Sequence, residues 1–144
     1  MSEQRTIKTA VVVDDDEIEQ YEISRLIRRH GMIENLLWFE DAELALEFLG
    51  RADRPEVDLF CVDISMPKMN GFEFIDAAAK ISQQELQRAV VILLSVSTHD
   101  AHKKRASQMD SVDHFFKKPL TPDQLAYLTR EVFDRATPDQ AANA

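Results

Sequence analysis

Cysteine and glycine are scarce in this chain of 144 residues, and each scarcity excludes a class of protein. The one cysteine, Cys61, has no partner for a disulfide within the chain, which suits a reducing compartment. Because it lies in an apolar run, we interpret it as a small buried hydrophobe rather than a reactive thiol. Three glycines and no glycine-rich loop offer little backbone to cradle a phosphate-bearing cofactor, so we expect no such cofactor.

Long hydrophobic runs and an excess of basic charge are also lacking. No run approaches the roughly 20 apolar residues of a membrane helix, and the polar segment 1–8 leads into no signal-peptide core. The net charge of −9 disfavours nucleic acid as a direct partner, because phosphate binding favours a basic face. We therefore expect a soluble, cytoplasmic protein without membrane or nucleic-acid contacts.

Short apolar runs alternate with amphipathic helical patterns five times along the chain. This alternation predicts an α/β fold with a doubly wound, five-stranded parallel sheet and helices on both faces. Right-handed crossovers leave few topologies open to it. The predicted strands are 7–13, 35–39 (with Trp38 packed at its end), 57–62, 89–94 and 112–116, and the helices are 17–30, 41–49, one around 72–79, 98–109 and 121–135.

The length suits one domain with a full core. We expect this domain to cover residues 7–136. A flexible leader, 1–6, would precede it, and a short polar tail, 137–144, would follow it with no output domain.

Four of the five predicted strands end in chemically active side chains. The carboxyl ends of parallel strands share one edge of an open sheet, where ligands bind. Each side chain alone is more often a helix cap, a turn former or a surface residue, but the ordered set is much more specific. In chain order, the strand ends carry Asp14-Asp15-Asp16, Asp63, Ser95 and Lys117-Lys118.

This order of acid pair, acid, hydroxyl and lysine indicates a magnesium and phosphoryl site. Crowded carboxylates repel one another and raise each other's pKa, and a hard cation such as Mg²⁺ relieves that repulsion. A carboxylate such as Asp63 can attack phosphorus to form an aspartyl phosphate. Such a transfer needs positioning and charge neutralisation, which Lys118 and Ser95 could supply. Asp16 is the weakest of the three acids and could simply cap the first helix.

With these motifs the chain resembles a response-regulator receiver domain of two-component signalling over nearly its whole length. The spacings between the motifs are also like those of the family. The segments that carry the resemblance are Val13-Asp14-Asp15, Val62-Asp63-Ile64-Ser65-Met66-Pro67, Gly71 at the start of a helix, Leu94-Ser95 and Lys118-Pro119.

The resemblance implies a phosphoacceptor role for Asp63, with a sensor histidine kinase or a phosphotransfer protein as the donor. Asp14, Asp15, Asp63 and the backbone carbonyl of Ser65 would hold Mg²⁺. Catalysis would be limited to self-phosphorylation and autodephosphorylation, so we expect a signalling protein rather than an enzyme.

The resemblance also implies contacts to the phosphoryl group and a conformational switch. Ser95 and Lys118 would contact the phosphoryl oxygens, and the Lys-Pro match favours Lys118 over Lys117. Ser95 and Phe115 would form the switch, and the Lys118-Pro119 bond is often cis in this family. The surface of the fourth predicted helix, the fifth strand and the fifth helix would then bind a downstream protein, with a homodimer possible.

Two departures from the family pattern and three competing hypotheses accompany this interpretation. Val96 is bulkier than the usual small residue after Ser95, and Ser65 and Ser97 occupy positions that influence the hydrolysis rate.

The first competing hypothesis, a haloacid-dehalogenase-like phosphatase, would need a second aspartate where Ser65 stands. The second is a degenerate receiver that acts only as a binding scaffold, and the third is a flavodoxin-like cofactor carrier.

Overall fold

The computed structural model describes residues 6–97 and 99–136. The predicted leader (except residue 6), the predicted tail and the first residue of the predicted helix 98–109 lie outside the described residues. In chain order the elements are β1 (Ile7–Val13), α1 (Glu17–His30), β2 (Ile33–Phe39), α2 (Ala42–Leu49), β3 (Leu59–Asp63), α3 (Gly71–Ile81), α4 (Gln83–Arg88), β4 (Val90–Ser95), α5 (Asp100–Ser107), β5 (His114–Lys117) and α6 (Pro122–Ala136).

The five strands form one parallel sheet in the order β2-β1-β3-β4-β5. This is the flavodoxin-like order of a doubly wound fold, which confirms the predicted fold class. Hydrophobic clusters cover both faces, since Val11 and Val13 of β1 belong to one cluster while Ala10 and Val12 belong to the other. Helices α2, α3, α4 and α5 contribute to the first cluster, and α1 and α6 contribute to the second.

Local signals in the sequence account for the ends of α1. Asp16 has extended backbone angles, and its carboxylate accepts hydrogen bonds from the backbone amides of Ile18 and Glu19. This satisfies amides that lack an intrahelical partner. At the other end, Gly31 adopts a left-handed conformation with φ 61°, which a residue without Cβ tolerates. Asp16 is therefore the helix cap that the sequence allowed for.

The main difference from the predicted elements is α4, which the sequence did not predict. Because of it, the fourth and fifth predicted helices correspond to α5 and α6. Several bounds also shift by a few residues: β2 begins at Ile33 rather than 35, β3 begins at Leu59 rather than 57, and β5 begins at His114 rather than 112.

Ion pairs and the hydrogen bonds that their side chains make to the backbone hold the amino ends of three strands. Glu85 of α4 binds Arg54 at 2.6 Å and 2.7 Å and accepts the backbone amide of Val57, ahead of β3, at 2.8 Å. Arg135 of α6 donates to the carbonyl of Ala89, ahead of β4, at 2.7 Å and to Asp113, ahead of β5, at 2.6 Å. The edge of the sheet opposite the predicted site is therefore held by charged hydrogen bonds.

Candidate functional site

Backbone hydrogen bonds between neighbouring strands bring the predicted site residues to one edge of the sheet. The amide of Asp14 donates to Phe39 at 3.1 Å, and the amide of Ile64, next to Asp63, donates to Leu94 at 3.0 Å. The amide of Lys118 donates to the carbonyl of Ser95 at 2.8 Å. Because β1 also pairs with β3, with Val13 opposite Val62, the carboxyl ends of β1, β3, β4 and β5 meet, as the motif order requires.

The ammonium group of Lys118 lies at the centre of three carboxylates. Its Nζ atom is 3.0 Å from Asp14 Oδ2 and 3.1 Å from Asp63 Oδ1, and it also donates a hydrogen bond to Glu19. The side chain of Lys118 is 10% exposed, whereas Lys117 is exposed to solvent. The geometry thus brings Lys118, and not Lys117, together with the aspartates.

Asp63 is buried at this edge, with 6% of its surface exposed. Its Oδ1 atom pairs with Lys118 and also accepts the amide of Ser65 at 3.3 Å. Among the described residues, no hydrogen bond or ion pair uses Oδ2. Burial raises the pKa of Asp63 to about 6, with a further increase from Asp14 and opposing effects from Lys118 and the Ser65 amide. The carboxylate is therefore largely ionised at neutral pH, with one oxygen not engaged by the protein.

Asp14 is also buried, and its surroundings hold it firmly. Its side chain accepts the amide of Asp16 at 2.9 Å, and its backbone carbonyl accepts the indole N–H of Trp38 at 2.8 Å. Burial raises the pKa of Asp14, and the hydrogen bonds from Asp16 and Lys118 work against that increase. Burial therefore matters more than the repulsion between carboxylates that the sequence suggested, because the lysine offsets much of that repulsion.

Asp15 lies on the solvent-exposed side of the carboxylates that contact Lys118. It is exposed and lines a cleft together with Asp63, Ser65, Val96 and Lys118. Val96 is 63% exposed at the edge of the cleft. The cleft is thus the side from which a solvent-borne group reaches Asp63.

Three carboxylates are close enough to hold a metal ion. One oxygen each of Asp14, Glu19 and Asp63, which we call the acidic cluster, lies within 4.8 Å of the others. All three already contact the Lys118 ammonium, so a cation between them would compete with the lysine. Asp15 makes no ion pair with Lys118 among the described residues and lines the neighbouring cleft together with Ser65.

Of the two predicted switch residues, Ser95 is the last residue of β4 and Phe115 lies within β5. Ser95 is buried, and its hydroxyl oxygen accepts the amide of Ser97 at 3.2 Å. Phe115 is partly buried and packs against the hydrophobic cluster that contains Val62. The Lys118-Pro119 peptide bond is cis, as the resemblance implied.

A family model described as the response regulator receiver domain matches residues 10–130. The chain belongs to this family. Receiver domains serve signalling and interact in general with sensor kinases and downstream targets. The family recognised from the sequence motifs is thus confirmed.

Two curated relatives of this receiver domain are described as regulators. It is 28% identical over 128 residues to a probable methanogenesis regulatory protein, FilR2, of Methanothrix harundinacea, covering 85% of this chain and 79% of that protein. It is 30% identical over 129 residues to the heme response regulator HssR of Staphylococcus saprophyticus, covering 88% of this chain but only 52% of that protein.

Solved structures of receiver domains share the fold. A two-component response regulator from Cytophaga hutchinsonii is 29% identical, with a TM-score of 0.80 and coverage of 90% of this chain and 99% of that one. A receiver protein from Dyadobacter fermentans, 22% identical with a TM-score of 0.77, covers 88% of this chain and 98% of that one and supports the fold alone. Over residues 6–97 and 99–136, this receiver domain has no helix with the length and apolar character of a membrane span.

One residue of the site was missed from the sequence, namely Glu19. Acidic residues are common in the first turn of a helix, where they interact favourably with the positive end of the helix dipole. Glu19 therefore carried no distinct signal. Its position in the first turn of α1, five residues after Asp14, was the only indication that it could face the same edge. The structure shows it bound to Lys118.

Proposed function

We propose that this receiver domain accepts a phosphoryl group on Asp63 from a sensor histidine kinase or a phosphotransfer protein. The observation that carries the proposal is the environment of Asp63. Its carboxylate is buried beside an ammonium group, keeps Oδ2 free of protein partners among the described residues, and borders an open cleft. A nucleophile in this setting is ionised at neutral pH and accessible from one side.

In the proposed transfer, Oδ2 of Asp63 attacks the phosphorus atom of the donor. The bond from phosphorus to the leaving atom breaks, and the leaving group keeps the electron pair. For a phosphohistidine the leaving imidazole then takes up a proton, and for acetyl phosphate the leaving group is acetate. Lys118 and the hydroxyl of Ser95 would contact the phosphoryl oxygens, which carry the negative charge.

The residues on the cleft side also fit a divalent cation. Asp15, Asp63 and the backbone carbonyl of Ser65, together with Asp14, would hold Mg²⁺ through oxygen ligands, which this ion prefers. When bound, Mg²⁺ would neutralise part of the charge on the phosphoryl oxygens. The support for this set is that Asp15, Asp63 and Ser65 line one open cleft.

Phosphorylation would act as a switch on a pre-existing equilibrium rather than build a new fold. Ser95 and Phe115 would couple the phosphoryl group to the surface formed by α5, β5 and α6, which would bind a downstream protein or a second copy of the chain. Autodephosphorylation would limit the lifetime of the signal, and Val96 would narrow access to the phosphoryl group. The protein would work in the cytoplasm.

The proposal is tested by incubating the protein with Mg²⁺ and acetyl phosphate and measuring its intact mass. We expect a mass gain of one phosphoryl group in the wild type and none in Asp63→Asn. A wild type that gains no mass, or an Asp63→Asn variant that gains as much, would sink the proposal. Steady hydrolysis of phosphate esters instead would favour a phosphatase.

A further inference from the structure

The three carboxylates around Lys118 do not bind it in the same way. Lys118 donates hydrogen bonds to Asp14 and Glu19, whereas its contact with Asp63 is the longest of the three, an ion pair at 3.1 Å. An ammonium group has only three N–H donors. Two of them are therefore committed to residues other than the proposed phosphoacceptor.

We propose that Glu19 is a positioning residue that competes with the phosphoryl group for Lys118. The inference rests on the proposed function and adds a regulatory element to it. In the unphosphorylated protein, the Glu19 carboxylate holds the ammonium group. Phosphorylation of Asp63 places several charged oxygens beside the ammonium group, more than its third donor can serve, so Lys118 transfers a hydrogen bond from Glu19 to the phosphoryl group.

Glu19 is the partner that can be released at the lowest cost. Asp14 is buried and is held by the amide of Asp16 and by Trp38. The side chain of Glu19 is instead 26% exposed and extends from the first turn of α1. A released Glu19 carboxylate would meet water and the positive end of the helix dipole, which stabilises an anion there. Asp14, in contrast, would be left as a buried, unpaired charge.

The competition sets the direction of the effect of a mutation. Loss of the Glu19 contact leaves a donor of Lys118 free before the phosphoryl group arrives. The phosphorylated state and its mimics should then bind more tightly. A merely structural defect near Asp63 would weaken binding, so tighter binding distinguishes the two roles.

The test uses beryllofluoride, a phosphoryl mimic, at saturating Mg²⁺, with binding followed by Trp38 fluorescence and Asp63→Asn as the blank. We expect Glu19→Gln to lower the half-saturating beryllofluoride concentration about tenfold, the scale of one charged hydrogen bond. The matched control is Glu22→Gln. Glu22 lies on the same helix and lines the same cavity as Lys118, but it makes no ion pair with Lys118 among the described residues. We expect it to change binding by less than about twofold, as for an exposed charge.

Glu19→Asp separates the contact from the charge. It keeps the carboxylate but is one methylene shorter, so we expect it to bind beryllofluoride more tightly, as Glu19→Gln does. Wild-type binding by Glu19→Asp would show that charge alone matters and would overturn the inference. Equal effects of Glu19→Gln and Glu22→Gln, or no tightening by Glu19→Gln, would also overturn it.

The result for the wild type separates this inference from the function on which it rests. A wild type that is phosphorylated on Asp63, combined with a Glu19→Gln variant of unchanged affinity, overturns only the role of Glu19. A wild type that neither gains a phosphoryl group nor binds beryllofluoride overturns both. Thermal unfolding of each variant verifies that it is folded before its affinity is compared.

Discussion

The indole nitrogen of Trp38 donates a hydrogen bond to the backbone carbonyl of Asp14 at 2.8 Å. Trp38 is the single tryptophan of the chain, and it lies one residue before the carboxyl end of β2. The fluorescent side chain is therefore hydrogen-bonded to Asp14, whose carboxylate binds Lys118. A change at the proposed phosphoryl site should reach it through a single residue.

We predict that the Trp38 emission changes when Mg²⁺ and beryllofluoride are added together. The physical reason is that any shift of Lys118 changes the charge around Asp14 and the field at the indole. Fluorescence titration measures the effect. Trp38→Phe should lose the signal, and Asp63→Asn should show no change on addition of beryllofluoride. The prediction would be contradicted if the spectrum stayed unchanged in a wild type that acetyl phosphate phosphorylates fully, as measured by intact mass.

The pKa of Asp63 predicts a pH-dependent stability difference between Asp63→Asn and the wild type without metal. Burial raises this pKa from 3.8 to about 6, so the folded state binds the proton more tightly than the unfolded state. The resulting stabilisation is fully present below about pH 4 and is lost as the pH rises through about 6. At pH 7 to 8, Asp63→Asn should therefore be more stable than the wild type, by on the order of 2 to 3 kcal/mol.

Urea denaturation in EDTA between pH 5 and 8 measures this difference. The gap should shrink as the pH falls from 7 towards 5, because the wild-type carboxyl becomes protonated in the folded state. Asp76→Asn is the control, since Asp76 is an exposed aspartate on α3, and its curve should follow that of the wild type. A constant gap across the pH range would show that Asp63 does not titrate as described.

The ion pair of Glu85 with Arg54 predicts a large loss of stability when one partner is removed. The side chains are 5% and 12% exposed. Burial alone would raise the pKa of Glu85, but hydrogen bonds from Arg54 and the Val57 amide lower it. Glu85→Gln should therefore cost about 3 to 5 kcal/mol of unfolding free energy, because it leaves a buried guanidinium without a counter-charge.

Chemical denaturation checks this value against a matched surface pair. Arg88 and Glu56 form an ion pair at 3.2 Å, with side chains 46% and 74% exposed. Glu56→Gln should cost less than about 1 kcal/mol, as is usual for exposed pairs. Equal losses in the two variants would mean that burial adds nothing to the Glu85 contact.

Gly71 predicts a steric link between α3 and the proposed phosphoacceptor. A Cβ atom at Gly71 would lie 2.6 Å from the backbone oxygen of Asp63 and 3.1 Å from Ile64 Cα. Gly71→Ala must therefore push apart two backbone segments, at a cost of about 1 to 3 kcal/mol, and should slow phosphorylation of Asp63. Gly50→Ala is the control, since its Cβ would meet nothing closer than 3.6 Å. Thermal unfolding and intact mass after acetyl phosphate treatment measure both effects, and similar behaviour of the two variants would refute the link.

The strand ends could be predicted from the sequence because the signals there are local. Apolar runs buried on both faces define β1, β3 and β4, and the polar residues that follow them mark the carboxyl edge. The contact between Lys118 and Asp14 spans 104 residues, yet it follows from the order of the parallel strands. The resemblance to a known family added the cis bond at Pro119.

Other features could not be predicted because their causes are not local. Helix α4, with the sequence QQELQR, has no repeated apolar stripe, and only Leu86 and Glu85 are buried. Glu85 is buried because Arg54, 31 residues away, neutralises it, and no sequence period reports such a pairing. Glu19 was missed for the same reason. β5 begins two residues later than predicted, and just ahead of it the side chain of Asp113 accepts the amide of Val91.

The hydrogen bonds and ion pairs made by Glu85 and Arg135 lie at the amino ends of the strands, on the edge of the sheet opposite Asp63. Charged hydrogen bonds at the amino ends of the strands oppose sliding of one strand past another. Packed elements shift as units and do not deform continuously. Movement triggered at Asp63 should therefore pass through the loops at the carboxyl ends of the strands, towards α1 and the proposed surface of α5, β5 and α6, and leave the amino ends of the strands in place. The structural change caused by phosphorylation would then be confined to the carboxyl edge of the sheet, while the amino edge keeps its position.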